Sequence, residues 1–117
     1  MLYEKIFTEH TENTKNNFKI EAGKQYYIVQ FSHERNCAYV DVGTLCHIIP
    51  IVGSQDKFSK NTERASYYHF SVCYSKSLQK TMVIYNPASI FQTIEDVKSY
   101  CLSNDIIPYY GYSVCKI

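Results

Sequence analysis

From Tyr67 to Tyr74 the chain alternates without a break, with Tyr68, Phe70, Val72 and Tyr74 on one side of an extended backbone and Tyr67, His69, Ser71 and Cys73 on the other. A period of two sustained over this span is the mark of a strand with one apolar face, and such a strand must find partners to bury that face. The sequence supplies them. Lys24 to Phe31 is rich in aromatic and β-branched side chains, and the polar connection Ser32 to Asn36 leads into Cys37 to Val42, the pattern of an antiparallel hairpin. Gly43-Thr44 leads on to Leu45 through Val52, where Pro50 predicts an edge, a bulge or an early end. A second hairpin is expected from Tyr67 to Tyr85, turning at Ser75 to Gln79, and Leu2 to Phe7 alternates well enough for a further strand.

Two polar stretches, His10 to Asn17 and Gly53 to Arg64, read as surface segments, the second as a loop or one short helix. The best helical pattern follows Asn86-Pro87-Ala88. Ser89 is the expected N-cap with Gln92 at the third helical position, and Ile90, Ile94, Val97 and Cys101 form a stripe widened by Phe91 and Leu102. Asn104 is the expected C-terminal cap, and an extended segment from Asp105 to Ile117 closes the chain. These elements predict one α+β domain over residues 1–117. Its expected form is a mainly antiparallel, curled sheet of about five to seven strands, approaching a small barrel, with one principal C-terminal helix at about 90–103 packed on it.

The charge balance, +1 from twelve Lys and Arg against eleven Asp and Glu, argues against a strongly basic nucleic-acid binder. Only Arg35 and Arg64 can offer bidentate phosphate or base contacts. No apolar run reaches the length of a membrane span and no secretory signal is visible, which predicts an intracellular, cytoplasmic protein. The five cysteines contain no C-x-x-C pair and are expected to be reduced thiols. Abundant Lys, Asn, Ile and Tyr, with few Ala and Gly, hint at an AT-rich coding sequence.

None of the phosphate-binding, zinc-protease or nucleophile-elbow signatures occurs, so no cofactor is expected. A metal would draw on Cys46, His47, His69 and Cys73. In a regular strand, however, Cys46 and His47 point to opposite faces, and His69 and Cys73 lie about 13 Å apart. An enzyme alternative takes His33 or His69 with Cys37 or Cys73 and Asp41 as orienting acid, or, as a metal-independent nuclease, His33 in the first hairpin turn with Glu34, Arg35 or a tyrosine. For nucleic-acid binding the best patch is Lys57, Lys60 and Arg64 beside Tyr67 and Tyr68.

Twelve tyrosines without a tryptophan point instead to protein recognition, since a phenol ring gives large contact area at modest entropic cost. The expected contact residues are Tyr67, Tyr68, Tyr109, Tyr110 and Tyr112. The favoured reading is therefore a small soluble interaction module, an inhibitor or adaptor encoded by a virus or mobile element, with a protein partner or a second copy of itself.

Overall fold

The computed structural model describes residues 10–13, 18–50 and 66–115, the first of these stretches by its backbone alone. Leu2 to Phe7 and Gly53 to Arg64 lie outside the described residues. Strands β1 (His10–Asn13) and β2 (Phe18–Glu21) form a small antiparallel ladder of their own, where the sequence suggests a loop. The main sheet contains β3 (Gln25–Ser32), β4 (Cys37–Pro50), β5 (Ser66–Ser75), β6 (Leu78–Ile84), β7 (Ile90–Phe91) and β8 (Ile107–Tyr110). Its order is β6-β5-β4-β3-β7, with β8 paired to β4 off that path.

Both expected hairpins are present, β3 with β4 and β5 with β6. β4 runs through Gly43-Thr44 without interruption to Pro50. Gly43 is needed there because β5 crosses too closely for a side chain, a Cβ standing 2.8 Å from the Ser71 carbonyl oxygen.

The sheet is open, which corrects the expectation of a curled sheet approaching a barrel. Closure requires the two edge strands to pair, and here β6 and β7 end the sheet on opposite sides. Both faces also carry apolar surface in need of cover. One, the hairpin face, gathers Tyr26, Ile28, Leu45, Tyr68, Phe70 and Val72 with Phe18 and Ile20 of β2. The other, the helix face, gathers Val29, Ala38 and Val40 beneath Val97 and Cys101 of helix α1 (Ile94–Ser103). A sheet rolled around one face would leave the other uncovered.

Helix α1 starts four residues later than the predicted 90. Ile90 and Phe91 pair with Ile28 and Tyr27 as β7, after a 3₁₀ turn at Pro87–Ser89 whose Ala88 N–H is accepted by the Asn86 side chain. Thr93, not Ser89, caps α1, its Oγ1 accepting the Asp96 N–H at 3.1 Å. Asn104 does stand at the C-cap. Leu102 is 81% exposed and widens no stripe; Tyr100 takes that role, its ring 5.5 Å from Phe31 and 5.6 Å from Phe91.

The chain beyond α1 is not one extended segment. β8 pairs in parallel with β4 from Cys37 to Val40, and a single helical turn, α2 (Tyr112–Cys115), follows. β8 and β5 therefore share one edge of β4, end to end, and α2 plugs the gap. Ser113 is buried there; its Oγ accepts the Val42 N–H at 2.9 Å and donates to Asp41 Oδ1 at 2.8 Å. Gly111 lies against the Asp41 carboxylate so closely that a Cβ would overlap Oδ1.

Candidate functional site

Each adjacent tyrosine pair lies in a strand, so its two rings leave on opposite faces. In Tyr67-Tyr68 the second ring is 1% exposed in the core, which removes Tyr68 from any contact surface, while Tyr67 is half-buried. In Tyr109-Tyr110 the first ring is 53% exposed and the second packs half-buried beneath α1. Burial, then the nearby Cys101 thiol, pushes the Tyr110 phenol up, and burial raises Cys101 itself. Tyr112 is exposed at the start of α2.

Tyr67 and Tyr109 do not form one surface. Tyr67 stands opposite Ile49 of β4 and Tyr109 opposite Tyr39, ten residues apart on that strand, or about 33 Å of extended chain. They also lie on opposite faces. Tyr39 pairs with Gln30 on the hairpin face, and Tyr67 alternates with the buried Tyr68 and so belongs to the helix face. The tyrosines divide into two clusters.

The first cluster is built by the parallel register of β8. It sets Tyr39 beside Tyr109, their rings stacked with centroids 5.9 Å apart and planes 25° from parallel. Arg35, in the turn between β3 and β4, reaches over so that Nη1 lies 3.5 Å from the Tyr39 hydroxyl, a long hydrogen bond. Asn36 holds that turn at φ 55°, and its Nδ2 donates to the Asp105 carbonyl at 2.6 Å, tying the turn to the segment that enters β8. Ile107, 57% exposed, completes the apolar surface. Arg35, Cys37, Tyr39 and Tyr109 line a depression of about 210 Å³, less than the ordinary size of a small-molecule pocket.

The second cluster lies on the half of the helix face that no described helix covers. Tyr67 and Tyr85 meet edge to face at 4.9 Å, Tyr67 tilts against His69 at 6.3 Å, and His69 faces His47 at 6.4 Å across the β4–β5 ladder. Ile49 and Val83 are exposed beside them. Cys46 occupies a bulge between Leu45 and His47, so the regular-strand spacing assumed for it does not apply. Its Sγ donates to the Thr44 carbonyl at 3.5 Å, whereas Cys73 donates to the Ser75 carbonyl. Among the described residues no group of three or more His, Cys, Asp or Glu is placed to hold a metal ion. The cysteines described are unbridged.

His33 and His69, the two alternative centres of the enzyme reading, stand far apart. His33 is exposed in the turn before Cys37 and His69 stands opposite His47, at the far end of β4. Arg35 turns to Tyr39, and no acid–base partner of His33 appears among the described residues. Lys57, Lys60 and Arg64 lie outside the described residues. No described helix is long and apolar enough to cross a membrane.

Tyr39, Ile107, Tyr85 and Val83 belong to these clusters although sequence reasoning did not single them out. The pairing of Tyr39 with Tyr109 depends on a parallel contact between segments seventy residues apart, for which no local signal exists. Among protein-family models, curated proteins and solved structures, none matches this chain.

Proposed function

We propose that the chain is a small protein-interaction module, an inhibitor or adaptor, whose principal contact is the cluster of Tyr39, Tyr109, Arg35 and Ile107. The stacked and exposed pair Tyr39–Tyr109 carries this reading: two large rings held rigid by a strand register, with an arginine and an isoleucine beside them, have the composition of an interface hot spot. The shallow depression suits an inserted side chain from a partner rather than an enclosed substrate. Local charge favours protein over nucleic acid, because Arg35 is flanked by the exposed Glu34 and the exposed Asp105, leaving no net positive field for phosphate.

The test is affinity capture from lysate with and without nuclease, comparing wild type with Tyr39→Ala/Tyr109→Ala. A defined protein partner retained after nuclease and lost from the double variant is the expected result. Because both rings are largely outside the core, each substitution should change folding stability by only about 0.5 kcal/mol. Capture that disappears with nuclease, or that the double variant leaves intact, contradicts the reading.

A further inference from the structure

The main sheet ends in three exposed-edge candidates, and they are protected very differently. β7 has two residues, both buried. β8 has four, one of them Pro108, which offers no N–H. β6 has seven, Leu78 to Ile84, with neither proline nor glycine, and among the described residues it pairs only with β5. Gln79, Lys80, Thr81 and Val83 are exposed along it. A long, uninterrupted edge with free backbone donors and acceptors is a template for another strand, and Lys80 is its one charged guard.

We propose that β6 is a second binding site, which takes an extended, acidic segment of a partner protein as an added antiparallel or parallel strand. The chemistry of the occupant follows from charge. No Asp or Glu occurs from Ser66 to Thr93, whereas Lys76 stands in the β5–β6 turn and Lys80 on the edge itself. Self-pairing of β6 about Thr81 would set Lys80 diagonal to its own copy and double a charge that no Asp or Glu among the described residues pairs with, so a second copy is disfavoured where an acidic chain is attracted.

Register also defines the segment's pattern. Lys80 pairs with Val72 and so lies on the hairpin face, while Thr81 and Val83 pair with Ser71 and His69 on the helix face. An added strand meets lysine on one face and, on the other, the apolar surface of Val83 that continues into Tyr85 and Tyr67. Acidic residues alternating with β-branched apolar ones satisfy both faces. This site is separate from the Tyr39–Tyr109 cluster, and either can fail alone.

The probe is a fluorescein-labelled peptide alternating Glu and Val, followed by anisotropy with the intact protein. Saturable binding is expected, weakening several-fold as salt rises from about 50 to 300 mM and lost in Lys76→Glu/Lys80→Glu. A Lys-Val peptide should not bind. Neither should a Glu-Val peptide N-methylated at alternate amides, a control that uses wild-type protein and so is independent of variant folding. Equal binding of the Lys-Val or N-methylated peptide, unchanged binding by the double variant, or no saturable binding up to millimolar peptide overturns the proposal. So does a wild-type dimer in sedimentation that excludes the peptide.

Discussion

The two ends of β4 solve the same burial problem with opposite faces. At its start, Ala38 and Val40 point to the helix face under α1, and Tyr39 is left open on the hairpin face. Beyond Asp41 the phase reverses: Gly43, Leu45 and, past the bulge at Cys46, Ile48 point to the hairpin face, where β2 covers the core. Ile49 and His47 are then left open on the helix face. Among the described residues the sheet thus has one covered and one open quarter at each end, arranged diagonally, and each open quarter bears a tyrosine cluster. The reversal falls where β8 gives way to β5, at the Val42–Ser113–Asp41 linkage. One long strand can therefore carry two tyrosine clusters on opposite faces.

The largest test of this division is Phe70→Ala. Phe70 is fully buried on the hairpin face, and its truncation should cost about 3–5 kcal/mol in urea unfolding. If hydrogen exchange then shows β5 and β6 loosened while the α1 end keeps its protection, the two ends are energetically distinct; uniform loss would break the comparison.

Ser113→Ala addresses the joint. It leaves the Val42 N–H without its acceptor and removes a hydrogen bond from Asp41, a loss of about 1–3 kcal/mol. Unchanged unfolding would mean that the plug between β8 and β5 contributes nothing. Thr93→Ala should cost about 1 kcal/mol through loss of the α1 cap, read as faster exchange in α1 with little effect in β6.

The smallest expected effect is a pH response that differs between the ends. Burial raises Cys101 and Tyr110 beneath α1, so the folded state favours their neutral forms. Such groups leave stability intact below their unfolded-state values, and it falls as ionisation of the unfolded chain sets in, from about pH 8.5 for a thiol. Tyr74, raised by burial and then by Asp41 on the hairpin face, shifts in the same direction, but only from about pH 10. Urea midpoints for wild type and Cys101→Ala between neutral pH and pH 9.5 should diverge, the variant declining less; parallel curves would contradict the assignment.

Much of this architecture is legible in the sequence where the signal is local. The alternation in Tyr67 to Tyr74 gives the buried and exposed rows of β5, and both hairpins follow from polar turns between β-rich runs. Boundaries are lost where a tertiary contact overrides a local pattern. Ile90 and Phe91 fit a helical stripe but are drawn into pairing with β3, and His10 to Asn13 reads as polar loop until β2 stands opposite. The candidate sites are half legible. The sequence singles out Tyr109, which is exposed, but the same reasoning enrols the buried Tyr68, because a doublet of tyrosines does not say which ring faces the core. Neither Tyr39 nor the open β6 edge has a local signature; both follow from strand order.

The most direct test of the contact proposed at Tyr39 and Tyr109 is photo-crosslinking, with a benzophenone amino acid replacing Tyr109 in one protein and Gln30, on the same open quarter, in another. Nuclease-treated lysate should give the same discrete protein adduct from both positions. No adduct from either position, or adducts that form only when nuclease is omitted, would contradict the account.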